Sequence, residues 1–352
     1  MKLIKKQLVT AILASTFSLG AHAENINFDG AAIINGCTLN IGNATSGQLT
    51  GLTIFNTYTC DVGGSATELF ANLDTDNIYI ASGIAVSANN TSAGSGNGTL
   101  KAATAILGAG GLLLGNLNST STVALGANAE IHGTVIAATT VALGADATVV
   151  GNVTATTTIA IGADAKVVGD VKATTTVALG ANGEVDGNVT AGSTVALGAN
   201  SSVTGSVIAG TTVALGAGSH VDGAVTSLSS TVTLGVDSYV KGLTSAASSA
   251  TLGEGAYTCS NVNAATATLG AGSFVDGDMI APTSTVAAGG YVTGNIDSVT
   301  ATVGANACFG HINVTTLTLG AGAGYCGHAT NPNIASKAVM NGVSPTGAAC
   351  SN

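Results

Sequence analysis

The sequence has no tryptophan, only three prolines and very few charged side chains. Asp, Glu, Lys and Arg together make up 7% of the 352 residues, and none of the eight basic residues is an arginine. The formal net charge is −10. Because binding to nucleic-acid phosphates or to an anionic membrane surface needs clustered Lys and Arg, the composition argues against both kinds of partner.

Long apolar runs are absent as well, apart from a short one near the start. A lysine-rich beginning is followed by the apolar stretch Leu8–Leu19 and by the small-x-small sequence Ala21-His22-Ala23. This order is typical of a secretory signal peptide, which we predict over residues 1–23. No later run reaches the roughly 18 apolar residues that a transmembrane helix needs. The sequence therefore predicts a secreted protein, extracellular, on the cell surface or periplasmic, without a transmembrane segment.

Cysteine is absent between residues 61 and 258 and occurs only towards the two ends of the chain. Because disulfides persist in exported proteins, we expect these cysteines to be paired. Spacing favours Cys37–Cys60 and Cys326–Cys350, although several other connectivities stay open. No CxxC motif or Cys/His cluster is present, so neither a metal nor a cofactor is expected. The disulfide candidates are Cys37, Cys60, Cys259, Cys308, Cys326 and Cys350.

Glycine, in contrast, is abundant and strictly periodic. One column of glycines recurs every 18 residues from Gly108 to Gly216, usually after leucine, and a second column follows seven residues later in each repeat. Beyond Gly216 the spacing becomes less regular, but the pattern continues. A period of this length is the signature of a repeat protein.

Within each repeat, apolar residues occur as three pairs whose members are two positions apart. In the repeat that starts at Val123 the pairs are Val123/Leu125, Ala129/Ile131 and Val135/Ala137. A spacing of two places both members on one face of a strand, and Gly, Asn, Asp and Thr between the pairs suit corners. The sequence thus predicts an all-β fold, a triangular single-stranded parallel β-helix (β-solenoid) with about 18 residues per turn and undetermined handedness.

A single coil cannot bury its own core, so both ends of a solenoid need caps. We therefore predict an N-terminal β cap segment with a Gly/Ser/Asn-rich link over residues 24–100. The solenoid is predicted over residues 101–328 and a C-terminal cap over residues 329–352.

The three outer faces of the predicted prism differ in sequence. The first face, which carries the Thr-Val-Ala-Leu-Gly units, stays uniform, whereas the second has diverged to acidic, basic and apolar residues. Threonine ladders stack well, so the uniformity has a purely structural interpretation. Alternatively, the flat strip of Thr, Ala and Gly is a binding surface, since its short side chains lose little entropy on docking. The candidate residues are Thr122, Ala124, Thr140, Ala142, Thr158, Ala160, Thr176, Ala178, Thr194, Ala196, Thr212 and Ala214.

Two other features have weaker functional interpretations. A corner column of Asn and Asp, which includes Asp146 and Asp164, either fits the backbone geometry or holds a cation between stacked carboxylates. Hexapeptide solenoids include acyltransferases that use a histidine base. Here the histidines stand on different turns without a recurring acidic neighbour, and the unbroken spacing leaves no room for a catalytic loop. We therefore expect no catalytic residues and no enzyme activity.

Units such as Thr140-Val-Ala-Leu-Gly-Ala-Asp-Ala-Thr-Val-Val-Gly-Asn-Val resemble two families. Over residues 104–327 the pattern is similar to bactofilins, polymer-forming bacterial scaffold proteins, and to the secreted ice-binding-like domain, whose members include ice binders and adhesins. The resemblance implies a non-enzymatic structural or adhesive protein whose partner is itself or an extracellular surface or polymer. The alternative it implies is an ice-binding protein that uses the flat Thr/Ala/Gly face.

Overall fold

The computed structural model describes residues 96–325 without a break and, before them, six strands between Asn25 and Asn90. Every regular element in this described part of the chain is a β-strand. The strands that precede the regular coils are β1 (Asn25–Phe28), β2 (Cys37–Asn40), β3 (Asn56–Asp61), β4 (Glu68–Leu69), β5 (Asn77–Ile80), β6 (Ile84–Asn90), β7 (Gly96–Asn97), β8 (Thr99–Ala102) and β9 (Thr104–Leu107).

The regular coils contain short strands separated by tight corners. They are β10 (Leu112–Leu114), β11 (Asn116–Ser119), β12 (Thr122–Leu125), β13 (Glu130–His132), β14 (Val135–Ala137), β15 (Thr140–Leu143), β16 (Thr148–Val150), β17 (Val153–Ala155), β18 (Thr158–Ile161), β19 (Lys166–Val168), β20 (Val171–Ala173), β21 (Thr176–Leu179), β22 (Glu184–Val185), β23 (Val189–Ala191), β24 (Thr194–Leu197), β25 (Ser202–Val203), β26 (Val207–Ala209) and β27 (Thr212–Leu215).

The C-terminal coils begin with equally short strands and end with two long ones. They are β28 (His220–Val221), β29 (Val225–Ser227), β30 (Thr231–Leu234), β31 (Tyr239–Val240), β32 (Thr244–Ala246), β33 (Ser249–Leu252), β34 (Tyr257–Thr258), β35 (Val262–Asn263), β36 (Thr266–Leu269), β37 (Phe274–Val275), β38 (Met279–Ile280), β39 (Thr283–Val286), β40 (Tyr291–Val303), β41 (Cys308–Leu319) and β42 (Gly324–Tyr325).

Each coil contributes one strand to each of three faces, and every third strand is a hydrogen-bonded neighbour. The first face contains β12, β15, β18 and their successors, the second face β13, β16 and β19, and the third face β14, β17 and β20. Neighbouring strands are parallel and in register, so that Thr140 lies beside Thr158 and Ala142 beside Ala160. The result is a parallel β-solenoid of about 13 turns, which confirms the predicted fold class.

The core runs along the axis of the prism. In the coil that starts at Val123, the six residues predicted to point inward are at most 5% exposed: Val123, Leu125, Ala129, Ile131, Val135 and Ala137. Most of the equivalent positions in the other coils are also buried and apolar, and together they form one continuous cluster. The alternation of two along each strand therefore gave the correct inward and outward assignment.

Coil length changes along the solenoid, as the pairing on the first face shows. Thr212 pairs with Thr231, which makes that coil one residue longer than the central coils. Thr266 pairs with Thr283 and Thr300 with Thr316, so the later coils are first one and then two residues shorter. The shorter coils have lost corner residues, and β40 and β41 run through all three faces with a register shift between Val292 and Asn295. The coils therefore contain fewer residues towards the C-terminal end of the solenoid.

Parallel stacking also extends into the N-terminal segment. Strand β1 pairs with β5 and β5 with β9, while β6 pairs with β10. The exceptions are the antiparallel pairs β2–β3 and β6–β7. The predicted domain boundaries at residues 100 and 328 stay predictions, as do the signal peptide and the C-terminal cap, which lie outside the described residues. No helix in the described part of the chain is long and apolar enough to cross a membrane.

Candidate functional site

The predicted strip on the first face is regular in three dimensions. Over six coils each threonine lies beside the corresponding threonine of the next coil, and each alanine beside the corresponding alanine. All twelve side chains, from Thr122 to Ala214, are half-buried and alternate with buried Val, Ile or Leu. We call these twelve residues the Thr/Ala strip. It is flat and uncharged because its side chains are short and point outward from parallel, in-register strands.

The glycines that follow these strands are half-buried, and a side chain at these positions would meet the backbone of the preceding coil. A Cβ atom added to Gly126 would lie 2.7 Å from the backbone nitrogen of Ala109, and one added to Gly144 2.7 Å from the carbonyl carbon of Gly126. On each of these glycines, the hydrogen in the place of a Cβ atom thus faces the backbone of the preceding coil. The second glycine column is packed even more tightly, since a Cβ on Gly133 would lie 2.2 Å from the carbonyl oxygen of Gly115. Glycine is required in both columns because the corners of neighbouring coils stack too closely for a side chain.

Beyond Ala214 the first face changes from Thr-x-Ala to Thr-x-Thr. Thr233 takes the place of alanine, and threonine occupies this position in every later described coil as far as Thr318. The other column is threonine too, except for Ser249. We call this two-column surface the Thr/Thr array; its members are Thr231, Thr233, Ser249, Thr251, Thr266, Thr268, Thr283, Thr285, Thr300, Thr302, Thr316 and Thr318.

The Thr/Thr array was missed at the level of sequence. The motif is visible in the chain as Thr-Val-Thr, Thr-Ala-Thr and Thr-Ser-Thr, but the loss of the constant period hides that the motifs are stacked. Several members, including Thr266, Thr283 and Thr300, are more exposed than any residue of the Thr/Ala strip. The first face thus presents two different regular surfaces, one after the other.

The corner column of Asn and Asp has a conformational explanation. Asn128, Asp146, Asp164, Asn182 and Asn200 have φ values between 55° and 57°, in the left-handed region. Asn and Asp tolerate this region better than other residues with a side chain, and glycine takes over at positions such as Gly218. The Asn182 amide nitrogen also donates a hydrogen bond to the Asp164 carboxylate at 3.0 Å. Among the described residues no cluster of His, Cys, Asp and Glu has the arrangement of a metal site.

A second polar column links the coils at another corner. The side-chain oxygens of Asn152, Asp170 and Asn188 accept hydrogen bonds of 2.8–2.9 Å from the backbone N–H groups of the next coil. These side chains replace backbone carbonyls where the ladder turns a corner. Asn152, Asp170 and Asn188, to which the sequence analysis gave no role, therefore have a structural role.

The second face carries ion pairs. The Lys166 ammonium lies 2.8 Å from the Glu184 carboxylate and 2.9 Å from that of Asp186, and these hydrogen bonds raise the pKa of Lys166. His132 bonds to Glu130, and His220 Nε2 lies 2.9 Å from the carboxylate of Asp222. The prediction that the histidines lack a recurring acidic neighbour is therefore wrong. The two pairs lie several coils apart, and each joins side chains only two positions apart in the chain.

An aromatic column occupies the second face of the C-terminal coils. His220, Tyr239, Tyr257, Phe274 and Tyr291 stack one above another with ring centroids 4.4–5.6 Å apart and interplanar angles of 17° or less. All five rings are half-buried. The column was also missed, because coils of unequal length hide the alignment of these rings in the sequence. Stacked rings stabilise the region in which the coils are least regular.

Two of the six cysteines have described side-chain environments. Cys259 and Cys308 each take part in a disulfide, and the Cys259 sulfur lies 3.1 Å from the Tyr239 hydroxyl. The backbone places Cys37 directly opposite Cys60 in the antiparallel pair β2–β3, which suits the predicted bond between them. Cys326 and Cys350 lie outside the described residues, so the connectivity stays a prediction.

Comparison with known proteins supports one of the two resemblances. Residues 142–226 match the bactofilin family, described as polymer-forming cytoskeletal. This segment covers about a quarter of the chain and contains most of the Thr/Ala strip. No curated protein and no solved structure matches the chain. Together with the parallel β-solenoid, the match shows that the central coils resemble bactofilins.

The match also corrects one prediction. A secreted location, whether extracellular, on the cell surface or periplasmic, is contradicted because the matched family is cytoskeletal. Of the predicted partners, another copy of the same chain agrees with a polymer-forming family. The central coils therefore resemble a structural, polymer-forming protein.

Proposed function

We propose that this chain is a non-enzymatic structural protein that assembles with copies of itself, and that the Thr/Ala strip is its lateral contact surface. The observation that carries the proposal is the in-register identity of the strip over six coils, within the segment that matches a polymer-forming family. The second face of the same coils carries dissimilar residues. Stacking alone therefore does not account for the uniformity of one face.

Contact between two strips is favoured because docking costs little free energy on either side. The side chains of the strip are short and uncharged, so docking neither desolvates a charge nor immobilises flexible groups. Two flat strips with the same spacing between coils also stay in register along their length. Each additional coil then adds contact area, which suits a polymer whose contacts repeat along a rod.

The test places three positive charges on the strip. In Ala160→Lys/Ala178→Lys/Ala196→Lys the lysines point outward, so we expect the fold to persist while polymers seen by electron microscopy disappear. The matched control puts three lysines on the third face, as Thr154→Lys/Thr190→Lys/Ile208→Lys. This column already contains the exposed Lys172, which shows that lysine is tolerated there.

Circular dichroism and thermal unfolding establish that both variants are folded. The control is expected to assemble like the unchanged protein. If the strip variant also assembles normally, the strip is only structural and the proposal is wrong. Equal loss of assembly in both variants would mean that added positive charge, rather than the strip, prevents association.

A second candidate function, ice binding, is favoured by the Thr/Thr array. Threonine is β-branched with few χ1 rotamers, so each hydroxyl and methyl group is held in a defined position before binding. Neighbouring coils place the array's side chains about 4.7–4.9 Å apart along the axis, and the two threonines of one strand lie about 6.6 Å apart along that strand. A rigid, uncharged, two-dimensional lattice of hydroxyl groups is suited to ordered water.

The two functions are distinguished by ice-growth measurements on monomeric protein. Ice binding requires that the monomer shapes ice crystals and that Thr251→Lys/Thr268→Lys/Thr285→Lys abolishes the effect. The strip variant serves as the control, because it adds the same charge to the same face in other coils. A monomeric protein that shapes ice and never assembles would overturn self-assembly as the main function.

A further inference from the structure

The corner that precedes the aromatic column differs from the same corner in the central coils. In the central coils this position carries an Asn or Asp side chain, from Asn128 to Asn200. In three successive C-terminal coils it is glycine, with φ values of 63–66°: Gly255, Gly272 and Gly289. Each of these glycines precedes a ring of the aromatic column by two residues. Glycine and asparagine both tolerate the left-handed region, so conformation alone does not select glycine in three coils in a row.

These glycines leave open space along the rod. A Cβ atom added to Gly272 would meet nothing within 4 Å, and one added to Gly289 would meet only the backbone nitrogen of Gly272, at 3.9 Å. At one end of this space the Asp237 carboxylate lies over Gly255, where it would collide with an added Cβ atom. At the other end Asn306, with a φ of 54°, restores a side chain to the column. We call the channel between Asp237 and Asn306 the glycine groove; from Gly255 to Asn306 it spans three coil spacings, about 14 Å.

One wall of the glycine groove is formed by aromatic rings. Tyr257, Phe274 and Tyr291 stack face to face, with centroids 4.6 and 4.9 Å apart and interplanar angles of 5° and 15°. Because neighbouring rings cover these faces, the rings present their C–H edges to the groove. The edge of an aromatic ring is partially positive and attracts the negative face of another ring. The wall therefore offers one edge-to-face contact per coil to a planar aromatic group that lies along the groove.

The groove lies in acidic surroundings. Asp237 stands at its end, and the exposed Glu254 is its neighbour in the next coil, since the Asp237 backbone N–H donates a hydrogen bond of 2.9 Å to the Glu254 carbonyl. Between residues 237 and 306 the sequence has five acidic residues and one basic residue, Lys241. Lys241 follows Tyr239 along the second face, whereas the groove precedes the rings, so the lysine lies on the far side of the aromatic column. The local charge therefore favours a cation in the groove.

We propose that the glycine groove binds an elongated, planar aromatic cation. The ligand lies along the rod with its face against the ring edges of Tyr257, Phe274 and Tyr291 and its positive charge towards Asp237. The groove is formed by backbone and by stacked rings, so it needs no rearrangement on binding, and a rigid ligand loses little conformational entropy. The inference does not rest on the proposed self-assembly, because every part of the groove belongs to one chain and lies outside the Thr/Ala strip.

The test titrates the full chain, at a dilution where it is monomeric, with thioflavin T, a linear aromatic cation whose fluorescence rises when its two ring systems are held rigid. Equilibrium dialysis measures the same binding without fluorescence. We expect one saturable site per chain, weakened by added salt. In Gly272→Asn/Gly289→Asn, the side chain that the central coils carry at this corner fills the groove, so affinity should fall by about tenfold or more. Asparagine tolerates the left-handed φ, so circular dichroism should show an unchanged fold.

A second variant removes a ring and leaves the glycines in place. Phe274→Leu keeps an apolar side chain but deletes the central ring edge, so affinity should fall by about twofold to tenfold. The matched control, Asn182→Gly/Asn200→Gly, opens the same corner in coils without rings and should neither change the affinity nor add a second site. Absence of binding, or equal affinity in the groove-filling variant and in Phe274→Leu to that of the unchanged protein, would overturn the proposal. Dye binding that appears only in assembled protein would also overturn it, since the site would then lie between copies.

Discussion

At the scale of single residues, the stability of each coil depends on a few large apolar side chains in a core otherwise made of alanine and valine. Leu179 is 5% exposed and packs beneath Leu197, whereas Thr176 on the same strand points outward. A truncated leucine leaves a cavity that rigid stacked strands cannot fill by relaxing.

We therefore expect Leu179→Ala to lower the free energy of unfolding by about 2–5 kcal/mol. Thr176→Ala, on the outer side of the same strand, should cost less than about 1 kcal/mol. Urea unfolding followed by circular dichroism measures both. Equal losses in the two variants would contradict the inward and outward assignment of β21.

Thr244 is a polar residue in an inward column. It is fully buried between Val225 and Val262, and its side-chain oxygen has no hydrogen-bond partner. A buried hydroxyl without a partner costs free energy, and valine has almost the same shape.

Thr244→Val is accordingly expected to raise the free energy of unfolding by about 1–3 kcal/mol. The matched control is Thr226→Val on the outer side of the neighbouring strand, where no buried hydroxyl is removed and little change is expected. Urea unfolding midpoints compare the two. A destabilised Thr244→Val protein would mean that the hydroxyl makes a bond that the structure does not show.

At the scale of elements, the aromatic column connects five coils of unequal length. Burial raises the pKa of Tyr239 and Tyr257, and the carboxylates of Asp222 and Asp276 shift them in the same direction. The folded state therefore favours the neutral phenols of the two tyrosines. Their contribution to stability is fully present below the ordinary tyrosine pKa of 10.0 and is lost as the pH rises through their higher pKa values in the folded protein.

Unfolding free energy should therefore decrease as the pH is raised from about 9 to about 11. Tyr239→Phe/Tyr257→Phe retains the stacked rings but removes both ionisable groups, so its decrease should be smaller. The pKa of Lys166 is raised above the ordinary lysine value of 10.5 by its carboxylate partners, so the loss of its ion pairs adds to the decrease only at still higher pH. Identical pH profiles for the two proteins would show that these tyrosines do not affect alkaline stability.

At the scale of the whole molecule, regular and irregular parts of the rod are stabilised differently. The central coils contain no cysteine and rely on stacked glycine corners and a continuous core. The cysteines belong to the N-terminal strands and to the part from Cys259 onward. Disulfides constrain segments whose own packing is insufficient.

Reduction with dithiothreitol is thus expected to change the size distribution of assemblies in light scattering. Hydrogen exchange in residues 140–215 should stay within about twofold of that in the oxidised protein. The pair of measurements separates effects on the ends from effects on the coils. Loss of protection in the central coils after reduction would contradict this division.

The repeat itself was readable from the sequence because its physical causes are local. Glycines one period apart, with apolar pairs two positions apart, specify three strands per turn and the direction of each side chain. Val123, Leu125 and the other predicted core positions were correct for this reason. The Thr/Ala strip followed from the same register, since residues one period apart must stack.

Only the tertiary structure identified the Thr/Thr array and the aromatic column. Beyond Gly216 the coils first gain a residue and later lose one and then two, so equivalent positions no longer share a constant spacing in the sequence. The register of these coils is set by backbone hydrogen bonds between neighbours, which absorb each gain or loss of a residue at a corner. The sequence alone determined a uniform rod with one repeated face, whereas stacking in three dimensions decided which side chains become neighbours once the period fails.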